Sequence, residues 1–282
     1  MIDDSPSKTS LGVAWLRAAH QIVDAEPRIL DDPIAARILD PRAIDRIRTD
    51  PARLQTDGAR ALRAHVVVRS RYAEDRLREA VARGVRQLVV LGAGLDTFAY
   101  RQPSWAAALR IFEVDWPATQ EDKRARLARA GVPVPANVTF VPIDFETTAV
   151  ADALAGHGFD AAAPAFVSWL GVMMYLTRDA IAAVFGFVRT LPPSSEIVFS
   201  FMPAPADAAA ASDGRTFADR VASVGEPFRT HITPEALVLW LTEMGFGEVT
   251  LLTADDVDTR YAAGRPDGLR TSRHTTIASA RV

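Results

Sequence analysis

The sequence predicts an α/β fold: a doubly wound, mostly parallel, Rossmann-like sheet of seven strands beneath a helical N-terminal layer. Three observations carry this. Residues 11–83 keep apolar side chains at three- and four-residue spacing, the helical period. After Gly84 short apolar runs alternate with helical stretches, as in a parallel sheet covered on both faces. One of these runs, Leu88-Val89-Val90-Leu91, falls directly into Gly92-Ala93-Gly94, a strand ending in a glycine turn.

Within residues 1–84, Leu11, Trp15, Ala18, Ala19, Ile22 and Val23 mark the first helix. Asp32 ahead of Pro33 in "DDPIAARIL" predicts a helix start. Pro33, Pro41 and Pro51 cut the region into short helices, and a longer one over 58–82 ends at Gly84. These helices, with Trp15 and Leu16, are read as a lid that excludes water from a pocket in the second unit, residues 85–282. Strands are predicted over 87–91, 110–114, 138–141, 165–169, 196–201, 248–252 and 275–280. Helices are predicted over 97–108, 117–130, 149–157, 178–191 and 234–244. Residues 203–229, with an alanine-rich stretch, break the alternation and read as an insertion.

The totals narrow the function classes. The chain has 282 residues, 49% hydrophobic and 24% charged, enough for one large globular domain with an elaboration. A net charge of -3 argues against a nucleic-acid-sized basic surface. The absence of cysteine rules out disulfides and thiolate metal sites and fits a reducing cytoplasm. No run approaches the ~18 apolar residues of a membrane span, and "MIDDSPSKTS" lacks the apolar core of a signal peptide. The expectation is a cytoplasmic protein with a small-molecule substrate and no nucleic-acid or membrane partner.

The glycine turn then poses a choice of nucleotide. The dinucleotide fingerprint needs a third glycine, and Thr97 stands there. Asp96 beside it would repel a pyrophosphate. Asp115 ends the second strand about twenty residues after the glycines, where a carboxylate takes ribose hydroxyls. Asp144 in "VPIDFET" follows the third strand, where it can accept from an adenine amino group with Phe145 along the ring, or serve as a turn residue. An adenosine ligand without phosphates, S-adenosylmethionine, fits these clues. A nicotinamide-dependent oxidoreductase is the alternative that the glycine turn and downstream acid leave open.

The runs "SRYAEDRL" from Ser70, "VVLGAGLDTFAYR" from Val89, "FEVDWPATQEDKRARL" from Phe112, "IDFE" from Ile143 and "SWLGVMMYLT" from Ser168 share an order. With "RILDDPIAARIL" upstream, that set resembles the leucine carboxyl methyltransferase-like family of S-adenosylmethionine-dependent methyltransferases, in its bacterial O-methyltransferase branch. The resemblance implies that Arg69 pairs with the cofactor's methionine carboxylate, with Arg71 as a rival. It also implies that Gly92 and Gly94 form the cofactor turn, that Asp115 binds ribose, and that Asp144 and Phe145 flank adenine. Asp96 and Arg101 match the "LDT…YR" run, either as cofactor contacts or as a structural turn and salt bridge. Leu170 stands where many relatives carry glutamate, which weakens any inference of a leucine carboxyl-terminal substrate.

The function implied is methyl transfer to a carboxylate or hydroxyl of a small specialised-metabolite acceptor. A carboxylate is already nucleophilic near neutral pH, whereas a hydroxyl profits from a base. Tyr175 is the candidate for acceptor positioning and His231 a second candidate; Tyr72 and Trp169 could line the site or fill the core. The five histidines, His20, His65, His157, His231 and His274, show no metal-binding spacing, so no metal is expected. A cofactor-binding protein that does not methylate is the non-enzyme alternative.

Overall fold

The strands are β1 (Gln87–Leu91), β2 (Arg110–Asp115), β3 (Val138–Pro142), β4 (Ala165–Trp169), β5 (Glu196–Ser200), β6 (Glu248–Leu252) and β7 (Ile277–Arg281). They form one sheet in the order β3-β2-β1-β4-β5-β7-β6 in a computed structural model that describes residues 6–204, 227–271 and 276–282. Strands β1 to β5 pair in parallel, and β7 runs antiparallel between β5 and β6. The order reverses at β1: β2 lies on one side and β4 on the other. That switch point opens the crevice where such sheets bind ligands.

Strand β1 is buried along its whole length because helices cover both faces. On one face Trp169, Phe185 and Phe199 meet edge to face, with the ring centroids of Phe185 and Phe199 5.1 Å apart. On the other, helix α3 (Asp57–Ala82) packs Val67, Val68 and Tyr72 against Leu88, Val90 and Val198. The Tyr72 hydroxyl meets Ser279 of β7 at 3.1 Å, and both Tyr72 and Trp169 are core residues.

Helices α1 (Lys8–Val23) and α2 (Pro41–Thr49) share a third apolar cluster with residues 34–39 and with Leu95, Leu127 and Val132. Trp15 belongs to this cluster, its indole N–H donating to the Ala43 carbonyl at 3.3 Å. A buried ion pair fastens the layer: Arg63 of α3 grips Asp24 through two contacts of 2.7 Å, and His20 Nδ1 adds a third at 2.7 Å.

Two expected helices are absent. "DDPIAARIL" folds as successive turns, because the buried Asp32 caps Ala35 with its side chain and takes Thr97 Oγ1 at 2.7 Å instead of opening a helix. Residues 97–108 form two 3-10 turns, Phe98–Tyr100 and Ser104–Ala106, because Pro103 between them lacks the N–H that a continuous helix needs. The expected insertion lies outside the described residues over 205–226.

Candidate functional site

A cavity of about 950 Å³ opens at the carboxyl ends of β1 to β4. The turn after β1 contributes Gly92 and Gly94, the end of β2 contributes Asp115, and the loop after β3 contributes Asp144 and Phe145. The loop after β4 adds Leu170, Gly171 and Tyr175, while α3 contributes Arg69 from the side. Residues far apart in the sequence therefore face one space.

The glycine turn is shaped by backbone bonds. Gly92 and Ala93 both donate to the Val114 carbonyl, at 2.8 and 3.2 Å, which folds the turn back over β2. Gly92 has φ +65, and a Cβ there would lie 2.1 Å from Val172 Cγ2. Gly92→Ala is therefore expected to cost about 1–2 kcal/mol for the left-handed backbone alone, with displacement of Val172 in addition. A thermal melt checks this; the expected fall in Tm from the backbone term is roughly 2–4 °C.

The turn also orients Asp115. Gly94 N–H donates to one carboxylate oxygen and Trp116 N–H to the other, the latter at 2.6 Å. Asp144 accepts from Glu146 N–H at 3.0 Å, so it closes a turn while lining the cavity. The turn role of Asp144 is thus seen directly, and its place in the lining leaves the carboxylate beside the cavity.

Arg69 is 8% exposed and, among the described residues, has no hydrogen-bond or ion-pair partner. Its guanidinium lies against Gly171, where a Cβ would come within 2.8 Å of a terminal nitrogen. Burial pulls its pKa down to about 10, resisted by Tyr175 and Asp96 and assisted by Arg17, so the group stays charged at neutral pH. An unpaired buried cation facing a cavity calls for an anion. Arg71, the sequence rival, is exposed, paired with Asp75 at 2.8 Å and outside the cavity lining.

Asp96 and Arg101 do not pair with each other. Asp96 lines the cavity and takes Arg17 of α1 at 3.1 Å. Arg101 turns away to Glu74 of α3 and lies 3.6 Å from Asp32. Burial pushes the Asp96 carboxyl up, but Arg17, Lys123 and Arg101 outweigh it and hold the pKa below the usual value. Arg17 also donates to the Leu95 carbonyl and sits 3.3 Å from Asp32. The run is chiefly a charge network that fixes the glycine turn to α1.

Tyr175 lines the cavity and packs at a tilt against Phe228 with centroids 5.3 Å apart. His231 is exposed, packs against Phe228 and is not among the lining residues. His20 is engaged with Asp24, and His65 meets Thr276 at 3.2 Å, held neutral by burial and then by Arg69 with its pKa lowered to about 3. His157 is exposed, and His274 lies outside the described residues. Among the described residues no group of three or more His, Asp or Glu is arranged to hold a metal.

One wall was expected only as a helical lid with Trp15 and Leu16, and other residues of that helix form it. Ser10, Val13 and Arg17, at the helical spacing of one face, line the cavity from α1, joined by Lys8 and Thr9 and, ahead of the helix, by Pro6 and Ser7. Their only sequence signal is a polar first turn at the start of an otherwise apolar helix.

Taken together, the strand order and the cavity at its switch point define a doubly wound α/β domain of the kind that binds ligands at the carboxyl ends of its strands. Residues 10–189 match the model of the leucine carboxyl methyltransferase family. A Bacillus subtilis protein named as an S-adenosyl-L-methionine-dependent methyltransferase is 31% identical over 292 residues, covering 95% of each chain. A Mycolicibacterium paratuberculosis protein of the same description is 34% identical, with 77% of this chain and 82% of that one covered. The fold is similar to that of a solved Thermobifida fusca protein described as a methyltransferase, with a TM-score of 0.58 at 18% identity, over 99% of this chain and 96% of that one. The chain belongs to the leucine carboxyl methyltransferase family. It is an S-adenosylmethionine-dependent methyltransferase, and the dinucleotide alternative drops out. No helix among the described residues is long and apolar enough to cross a membrane.

Proposed function

We propose that the protein transfers a methyl group to an oxygen, carboxylate or hydroxyl, of a small organic acceptor, and that the cavity at the switch point is its cofactor site. The observation that carries the site is Arg69: a charged, buried guanidinium with no partner among the described residues, on the same cavity as Asp115 and Asp144.

The residues suit the cofactor at each end. Arg69 can fork onto an amino-acid carboxylate with two parallel N–H bonds. The Asp115 carboxylate, oriented by Gly94 and Trp116, is an acceptor of the kind that suits ribose hydroxyls. Asp144 and Phe145 offer an acceptor and a ring face to adenine. S-adenosylmethionine, when bound, supplies a methyl group already activated on a sulfonium. The chain's task is then to align the acceptor and exclude water.

Lys8, Tyr175 and Arg229 line the same cavity and supply positive charge and a phenolic hydroxyl. Such donors suit an oxygen nucleophile, and the family's description names a carboxyl acceptor. Tyr175 is the residue we assign to acceptor positioning; His231 is exposed and not among the lining residues, and we give it no part in that role.

A panel of small carboxylates and phenols, incubated with the protein and S-adenosylmethionine, tests the reading by mass spectrometry. The expected result is S-adenosylhomocysteine together with an acceptor heavier by one methylene and labile or stable to base as an ester or an ether. Transfer only to nitrogen acceptors added in parallel would overturn it.

A further inference from the structure

One rim of the cavity is built from three separate stretches of chain. Glu146, in the loop after β3, accepts from Thr177 twice: from its main-chain N–H at 3.3 Å and from its hydroxyl at 3.0 Å. Thr177 caps the helix Arg178–Thr190, so the loop after β3 is tied to the loop after β4. The stretch from Pro227 lies on that second loop. Arg229 and Thr230 N–H both donate to the Met174 carbonyl, at 2.8 and 3.2 Å, and the Thr230 hydroxyl donates to the Leu176 carbonyl at 2.7 Å. Arg229 then reaches back to Glu146 at 3.2 Å.

Glu146 and Arg229 both line the cavity, yet their pair uses little of the guanidinium. Only Nη1 meets the carboxylate, and among the described residues Nε and Nη2 have no hydrogen-bond partner. The Arg229 side chain is 53% exposed and that of Glu146 27%, and ion pairs so exposed are weak. The main chain of Arg229 is therefore fixed while its head is open to a second anion. The other arginines of the lining are committed: Arg17 to Asp96, Asp32 and the Leu95 carbonyl, and Arg69 to the cofactor's carboxylate in the reading above. Val172, Leu176 and Pro227 give the same cavity apolar surface.

We propose that Arg229 anchors a carboxylate of the acceptor, separate from the oxygen that is methylated, so that the substrate is an organic acid bearing a second hydroxyl or carboxyl group. This inference rests on the cavity holding the acceptor beside the cofactor. A carboxylate forked by a guanidinium has its lone pairs engaged and is a poor nucleophile, so anchor and nucleophile are different groups. The anchor is a carboxylate rather than a phosphate, because Asp96, Asp115, Asp144 and Glu146 line the same cavity and would repel a dianion more strongly. At the second group an oxygen lone pair forms the O–C bond, the C–S pair stays on sulfur, and the proton of a hydroxyl passes to water. Glu146 is the positioning residue: it holds Arg229 over the cavity and competes for its charge.

Calorimetric titration of the S-adenosylhomocysteine-saturated protein with the hydroxybenzoate isomers and their methyl esters tests it. The wild type is expected to bind at least one acid about tenfold more tightly than its ester, a modest gain for charge-assisted bonds because Arg229 is half exposed. Arg229→Leu should erase that advantage, and Arg229→Lys should restore part of it. Glu146→Gln keeps the shape but removes the competing charge, so the acid should bind about threefold more tightly. The two positions thus shift acid binding in opposite directions. Weaker binding of acid and ester alike in both Arg229→Leu and Glu146→Gln would make the pair a brace and overturn the proposal. Equal binding of acids and esters by the wild type, or binding of no acid, would overturn it too. Failure of the wild type to bind S-adenosylhomocysteine would overturn the cofactor-site reading and the anchor with it. Transfer to oxygen is read separately by the mass-spectrometric panel, so that reading and the anchor fail on different results.

Discussion

Arg69→Leu is expected to abolish cofactor binding while leaving the apo protein as stable as the wild type or more so. The two halves have one cause. In the apo chain the guanidinium is buried without a partner among the described residues, so it gains no ion-pair energy to offset its lost hydration. Leucine keeps the apolar stem's packing and removes that penalty. In the complex, the fork onto a carboxylate comprises two charge-assisted bonds, each worth about 1.5–3 kcal/mol. Their loss corresponds to a drop in affinity of at least about a hundredfold. Arg69→Lys keeps the charge but not the fork and should fall between. Calorimetric titration with S-adenosylhomocysteine and a thermal melt of the apo variant check both halves. A variant that bound normally would move the carboxylate elsewhere, and one that unfolded would make Arg69 structural.

Arg63→Ala is expected to have the largest effect on stability. Arg63 and the Asp24 carboxylate are buried, with two contacts of 2.7 Å between them. Removing one partner strands the other, at a typical cost of about 3–5 kcal/mol. The pair joins the end of α1 to α3, so its loss should loosen the N-terminal layer first. Asp24→Asn keeps the shape and should cost less. The same site predicts an acid dependence. Burial raises the Asp24 pKa, but bonds from His20 and Arg63 outweigh this, and the folded value lies below the ordinary 3.8. Because the folded pKa is depressed, the carboxylate's stabilisation is complete above the unfolded pKa. It is lost as pH falls below 3.8 through the folded value. Chemical denaturation of wild type and Asp24→Asn between pH 7 and pH 3 reads this out: the gap between them should hold down to about pH 4 and narrow once the pH falls below 3.8.

The sequence is informative where a local pattern decides the structure. Short, largely apolar runs flanked by turns located β1 and β4 to the residue, since a strand buried on both faces leaves little else to read. Gly92 was legible because a left-handed turn admits few other residues. The helix expected over 97–108 failed because Pro103 breaks it and Thr97 is drawn to Asp32, 65 residues away. Within the site, Arg69 and Arg71 were separable only by helix phase: two residues apart on a helix, one faces the cavity and the other solvent. The Arg17–Asp96 contact spans 79 residues, and no local pattern announces it. The α1 residues that line the cavity, as opposed to the lid itself, were missed for that reason.

The most direct measurement is a calorimetric titration of the wild-type chain with S-adenosylhomocysteine, with Asp115→Ala and NADH in parallel. The account predicts saturable one-to-one binding by the wild type, a large loss of affinity in Asp115→Ala, and no heat of binding with NADH. Equal affinity in wild type and variant, or saturable binding of NADH alone, would contradict it.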